Sequence, residues 1–166
     1  MKKTQIKLFL LLVSLGLFNF SLNAQTLNGT DIRNTALDLI PEAELQNKIL
    51  FINVWQSSSI ESRENNKEFL RVSDIYHKAK LKNGSQGVVF INICLDPDLY
   101  TWVLSTKRDS IVSKYNLENS TQKYKSLVNY FDHKPGSLVI GNDGTIISKD
   151  LKKEDCFKLF LSLITR

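Results

Sequence analysis

Four serines, Ser57, Ser58, Ser59 and Ser62, cluster directly after an apolar run that ends at Trp55. A hydroxyl in such a place can cap a helix, or act as a nucleophile if a base takes its proton. Asp132-His133 is the pair that would have to supply the base. Adjacent Asp and His are poorly placed to orient each other as a triad requires, and no oxyanion hole is identifiable. Helix capping is therefore the favoured role of these serines. The other nucleophiles are Cys94 and Cys156, far apart and in no metal-ligand spacing. Cys94 ends an apolar strand run and Cys156 lies in an amphipathic helical pattern, which favours two buried free thiols acting as small hydrophobes. A structural disulfide stays open, because an oxidising compartment permits one and sequence does not fix the Cα separation. His77 has Asp74 one helical turn before it, the pattern of a solvated helix face rather than of a metal site. No metal and no cofactor is expected.

The elements that must position these groups follow from periodicity. Residues 49–55 form a continuous apolar run of strand length, as expected for a strand buried on both faces. Ser57 to Ser59 offer N-caps, and Ser58 with Glu61 has the spacing of a capping box. Phe69, Val72, Ile75, Tyr76 and Ala79 then recur at helical spacing, with Asn83-Gly84 as the expected stop. Residues 87–95 form a second strand. Its Phe90-Ile91-Asn92-Ile93 echoes Phe51-Ile52-Asn53-Val54, as neighbouring buried strands would. Asp96-Pro97 is a helix start, and that helix presents Leu99, Trp102 and Val103. The polar stretch 109–121 yields no assignment, and 124–130 reads as a short helix. Residues 137–140 and 145–148 flank the turn Asn142-Asp143-Gly144, a hairpin signal, and 154–164 is a closing amphipathic helix. Residues 26–47 read as an irregular lead-in, with a turn at Asn28-Gly29 and a break at Pro41. A right-handed crossover makes the first two strands parallel, and the hairpin adds an antiparallel pair. The expected class is α/β, a mixed central sheet with helices on both faces.

The N-terminus has the pattern of a secretion signal. Lys2, Lys3 and Lys7 precede an apolar run from Leu8 to Phe20, and Leu22-Asn23-Ala24 places a small residue before Gln25. The run is shorter than the ~20 residues of a spanning helix, and no cysteine follows it to carry a lipid anchor. The expected division is a signal peptide over 1–24 and one domain over 25–166, exported to the periplasm or secreted, with no stable membrane insertion after cleavage. Residues 1–24 hold three of the 22 Lys+Arg and none of the 17 Asp+Glu, so the net charge falls from +5 to +2 on their removal. No basic stripe with interleaved aromatics remains, which argues against nucleic acid as a partner. The short run Lys78-Ala79-Lys80-Leu81-Lys82 suits the solvated C-terminal end of a helix.

The stretch Phe51-Ile52-Asn53-Val54-Trp55-Gln56-Ser57-Ser58-Ser59-Ile60-Glu61-Ser62-Arg63 resembles the periplasmic thioredoxin-like family of the TlpA/ResA type. That family shows an apolar strand, Trp, a few small residues, Cys-x-x-Cys-Arg and a long helix. Trp55 and Arg63 match, and the two cysteine positions fall on Ser59 and Ser62. Asp96 after the second strand and Trp102 on the next helix also fit. So does Tyr130 followed by Pro135 and by Leu138-Val139-Ile140-Gly141-Asn142-Asp143-Gly144, where the family has a cis-proline, an apolar triplet and an Asp-Gly turn. The likeness covers about residues 48 to 151, and the segment before Lys48 is too short and irregular for the family's N-terminal hairpin.

The resemblance implies the thioredoxin fold with its redox atoms replaced, since thiol–disulfide exchange needs an attacking thiolate and a resolving thiol. Ser59 and Ser62 are then vestigial cysteine positions with no catalytic residue among them. A cis Pro135 is implied beside them, with Trp55, Ser59, Lys134 and Pro135 lining a groove for an extended peptide or partner protein. The alternatives are a thiol–disulfide oxidoreductase using Cys94 or Cys156 in a non-standard way, and a structural module with no groove.

Overall fold

The computed structural model describes residues 28–82, 84–118 and 124–164; the expected signal segment 1–24 lies outside them. Two long apolar runs, β1 (Ile49–Trp55) and β2 (Val88–Cys94), are buried at every position and pair in parallel. β4 (Gly136–Ile140) runs antiparallel to β1 on its other side, and β5 (Ile146–Lys149) runs antiparallel to β4. The sheet order is β3-β2-β1-β4-β5, where β3 (Tyr115–Leu117) is a short parallel edge strand inside the stretch that sequence left unassigned. Three half-buried residues give too little periodicity to announce a strand.

Alternation along the strands divides the core in two. Leu50, Ile52, Val54, Ile91, Ile93, Leu138 and Ile140 face one layer, and Phe51, Phe90 and Val139 face the other. The first layer is covered by α1 (Gly29–Ala36), α2 (Glu42–Leu45) and α5 (Lys125–Tyr130), through Ile32, Ala36, Leu45, Leu127 and Val128. The second is covered by α3 (Ile60–Tyr76) and α6 (Lys153–Leu163), whose Phe69 and Phe160 pack tilted against Phe51 while Tyr76 stacks on Phe160. The expected mixed sheet with helices on both faces is what the chain builds.

Several local expectations are corrected. The lead-in is helical: Asn28 is not a turn residue but the cap of α1, accepting from the Asp31 N–H at 2.9 Å while Asp31 accepts from its own N–H at 3.3 Å. Gly29 is required there, since a Cβ would stand 2.1 Å from the Gly144 carbonyl oxygen in the β4–β5 turn. Arg33 secures this helix to the sheet by donating to the carbonyls of Leu45, Lys48 and Gly141. α3 stops at Tyr76 rather than near Gly84, because the chain turns extended to bridge Lys80 to Gln86 and Leu81 to Ile164, burying Leu81. The cap of α4 (Leu99–Arg108) is Asp98, whose carboxylate accepts from the Thr101 N–H at 2.8 Å, not Asp96. Finally, no peptide bond among the described residues is cis, so Pro135 is trans, contrary to expectation. The reversal before β4 is made by Asp132 and His133, both left-handed at φ 53° and 54°, a region that Asp and His enter more readily than most residues.

Candidate functional site

β1 delivers the chain to a tight turn at Gln56–Ser58, and α3 begins at once behind it. The turn is held from three sides. The buried carboxylate of Asp96 accepts the Ser57 N–H at 3.1 Å, Ser62 Oγ accepts the Gln56 N–H at 3.1 Å, and Ser59 N–H donates to the Gln56 carbonyl at 3.2 Å. Ser59, not Ser58, is the cap: its side chain accepts from the Ser62 N–H at 3.2 Å. Both serine hydroxyls are thus engaged in fixing the helix start.

Ser59 and Ser62 line a recess of about 200 Å³, together with Asn65 one turn further along α3. Pro135, Gly136 and Ser137 form its opposite wall, with Asp150, Leu151 and Lys152 at its rim and Asn53 and Phe69 inside. The structure therefore brings Ser59, Ser62 and Pro135 together. It does not bring Trp55 or Lys134 to them: Trp55 is fully buried against Cys94 and Ile111, while Lys134 is exposed in an ion pair with Asp132 at 2.7 Å. The loop before Pro135 also uses its own donors, Lys134 N–H to the Phe131 carbonyl at 3.0 Å and His133 N–H to that of Val128 at 3.2 Å. His133 is exposed and lines no part of the recess, and Asp132 is occupied by Lys134, so no Ser–His–Asp arrangement forms.

Charge at the rim is partly cancelled. Glu61 pairs with Lys152 and Glu64 with Lys153, and these pairs hold both carboxyls below their ordinary range. Asp150 makes no direct ion pair among the described residues, and the nearby Lys152 ammonium is the charge that acts on it.

Both thiols are free and fully buried, in different parts of the interior. Burial pushes the Cys94 thiol well above its ordinary range, with the Asp96 carboxylate adding to the rise. Burial pushes Cys156 up to about 12. Neither presents a thiolate at neutral pH. His77 lies against the Asp74 carbonyl at 2.6 Å, and among the described residues no group of three or more His, Cys, Asp and Glu side chains is placed to hold a metal.

Two polar features were not anticipated. Asn53, Asn92 and Asn116 stand in register on β1, β2 and β3 and hydrogen-bond in series, each at 2.9 Å, with Asn66 of α3 joining at 3.3 Å. The repeated Phe-Ile-Asn of the two strands was the signal for the first pair. Arg63, next to Ser62, forks onto Asp109 beyond α4, at 2.6 Å from Nε and 2.5 Å from Nη2. The Arg63 guanidinium holds this buried carboxyl far below the usual carboxylate range.

An apolar strand, a tight turn, a long capped helix and a proline-led antiparallel strand facing the helix start define one known architecture. The fold is the thioredoxin fold. Solved structures similar to it include a thioredoxin-like protein from Parabacteroides distasonis (TM-score 0.55, 16% identity, 70% of this chain and 82% of that one). The thioredoxin domain of a thiol-disulfide oxidoreductase from Bacteroides vulgatus also aligns (TM-score 0.58, 13% identity, 74% and 84%). A thiol:disulfide interchange protein of the thioredoxin family from Chlorobium tepidum does so as well (TM-score 0.54, 18% identity, 75% and 85%). No protein-family model and no curated protein matches the sequence. The thioredoxin fold is thus shared with thiol–disulfide oxidoreductases, while this chain has Ser-Ile-Glu-Ser at the start of α3 and no Cys-x-x-Cys anywhere. Fold and chemistry have to be argued separately.

Proposed function

We propose that this protein is an exported thioredoxin-fold binding module that performs no thiol–disulfide exchange and holds an extended peptide or partner segment at the recess between Ser59, Ser62 and Pro135. The observation that carries this reading is the pairing of a formed recess at the helix start with two thiols that are both sealed elsewhere. Exchange requires a thiolate within reach of a disulfide. Burial raises the pKa of both thiols and leaves neither any exposed surface.

Binding at this site would rely on side chains. The donors at His133 and Lys134 are already used, so the loop before Pro135 offers no N–H there for β-pairing with a peptide. What remains is a small cavity with hydroxyl, amide and proline walls and a carboxylate, Asp150, at its rim. That chemistry suits a neutral polar or basic side chain over an acidic one. Residues 1–24 serve this reading as an export signal and 25–166 as the working domain.

The test is a nuclear magnetic resonance titration of the folded domain with peptide pools differing only in charge. Shifts confined to Ser59, Ser62, Asn65 and Gly136, and abolished by Ser62→Trp, are expected. Native-state alkylation runs alongside it. Rapid modification of Cys94 or Cys156 would replace the proposal with an oxidoreductase that uses a non-standard cysteine.

A further inference from the structure

The floor of the recess carries a hydrogen-bonding atom that the protein itself does not use. Asn53 is only 3% exposed and lines the recess. Both N–H groups of its carboxamide are spent, on Asn92 Oδ1 at 2.9 Å and on Asn66 Oδ1 at 3.3 Å. Its Oδ1 accepts no hydrogen bond among the described residues. Nor is this oxygen sealed like Asn66 Nδ2, which has neither a partner nor access. A buried acceptor left open in this way is rare enough to need a reason.

The sheet register says where it points. Directly opposite residues share a face, and Asn53 stands between Asn92 of β2 on one side and Ser137 of β4 on the other. Its amide nitrogen is turned to Asn92, so the oxygen at the other end of the carboxamide is turned toward Ser137, a wall of the recess. Ser137 does not take it. That hydroxyl accepts the Leu151 N–H at 2.8 Å and donates to the Leu151 carbonyl at 3.4 Å. The orientation is fixed from outside the site: Asn92 Nδ2 donates to Asn116 Oδ1 at 2.9 Å, which leaves Asn92 Oδ1 as the atom facing Asn53. A flip of Asn53 would set oxygen against oxygen there.

The wall supplies the opposite polarity. Ser59 and Ser62 oxygens each accept a backbone N–H, and their own O–H hydrogens have no acceptor among the described residues. Asn65 Oδ1 takes the Lys153 N–H, which leaves its NH₂ group facing the same recess. One fixed acceptor with rotatable donors beside it is the complement of a carboxamide. Resting on the recess as the binding site, we propose that the side chain it takes is a glutamine or asparagine of an extended segment. The ligand NH₂ donates to Asn53 Oδ1, and the ligand carbonyl accepts from a serine hydroxyl or from Asn65. An acidic side chain brings no donor to Asn53 and meets Glu61 and Asp150 at the rim. A lysine ammonium would leave water for a floor with a single neutral acceptor, and Lys152 already occupies Glu61. An apolar side chain leaves the floor unpaired.

The test is a nuclear magnetic resonance titration of the isotope-labelled domain with peptides acetyl-Ala-Ala-X-Ala-Ala-amide, where X is Gln, Asn, Met, Glu or Lys. The Gln or the Asn peptide should bind about tenfold or more tightly than the Met peptide, whose side chain has the length of Gln and no N–H, and than the Glu peptide. The side-chain carbonyl carbon of Asn53 should shift with the amide peptide and stay in place with Met, a response that a merely structural Asn53 would not give. Asn53→Leu should erase the preference over Met while Ser59 and Gly136 still respond to peptide; if that variant fails to fold, the wild-type ranking and the carbonyl shift decide. Equal affinity for the amide and Met peptides, or tightest binding of Lys or Glu, overturns the carboxamide assignment and leaves the recess as a peptide site. Silence of Ser59, Ser62 and Gly136 toward every peptide overturns the recess itself, and the carboxamide assignment with it.

Discussion

At the start of α3, two side chains three positions apart line a recess at the N-terminus of a seventeen-residue helix, and both end in hydroxyls. On β2 and α6, two thiols sit among aromatic and aliphatic side chains with no exposed surface. The first region has the field that lowers a thiol pKa and the access a substrate needs; it lacks sulfur. The second has sulfur, and its burial drives the pKa upward. Redox chemistry needs both properties in one place, and this chain keeps them apart.

The largest effect should come from reuniting them. Ser59→Cys with Ser62→Cys puts thiols where the helix dipole and the recess already are. The thiol introduced at position 59 is expected to titrate below the free value of about 8.5, read as thiolate absorbance against pH. The pair should oxidise to an intramolecular disulfide and reduce a disulfide substrate, while wild type shows no turnover. A folded double variant with two ordinary thiols and no exchange would mean that the recess no longer has the required geometry, and the contrast between the two regions would fail.

Arg63 and Asp109 join the two regions, tying the first turn of α3 to the segment that covers Trp55 and Cys94. Breaking a fully buried ion pair costs about 3 kcal/mol or more; the Arg63 side chain is partly exposed and Asn keeps one acceptor, so Asp109→Asn should lower stability by less, about 1–2 kcal/mol, in chemical denaturation. The sign with pH follows from the depressed folded-state pKa of Asp109. Its contribution is present above the unfolded value of about 3.9 and is lost as pH falls below it toward the folded-state value. Wild type should therefore lose more stability than Asp109→Asn between pH 5 and 2. Parallel acid profiles for the two proteins would remove the pair from the stability of this junction.

The elements framing this junction differ in how plainly the sequence announces them. Residues 49–55 and 88–94 are readable because burial on both faces demands unbroken apolar runs, and the Asn-Asp-Gly turn marks the hairpin. α1 was hidden by Asn28-Gly29, which is a turn dipeptide and also, with Asp31, a capping box; Ile32, Ala36 and Ile40 recurring every fourth residue were the overlooked signal. For the site, serines at the helix start and a proline opposite could be read from the resemblance. Two placements could not. Trp55 lies two positions beyond Asn53 on the same strand face, and only the packing of Cys94 and Ile111 over it removes it from the recess. Lys134 leaves because the left-handed turn at Asp132 and His133 directs it to solvent, a backbone choice with no local signature.

The interior half of the comparison is sharpened by the opposite exchange. Cys156 is packed in the cluster around Phe51 and Phe160, with burial as the main cause of its raised pKa. Cys156→Ser should cost about 2 kcal/mol, because a hydroxyl enters an apolar site, while Cys156→Ala should cost less. Alkylation of either native thiol should be observed only after unfolding. Equal destabilisation by Ser and Ala would show that volume, not polarity, governs this position.

The smallest effect resolves what the serines do at present. Ser59 Oγ accepts the Ser62 N–H, and Ser58 makes no corresponding bond within the described residues. Ser59→Ala should therefore cost about 1 kcal/mol in denaturant titration, and Ser58→Ala close to zero. The difference is small, yet it separates two origins for a hydroxyl at this place. A loss confined to Ser59 fits a side chain kept for the helix start, whatever binds in the recess. If Ser59→Ala were neutral for stability but weakened peptide binding, the hydroxyl would belong to the ligand, and the helix start would be a recognition site in its own right.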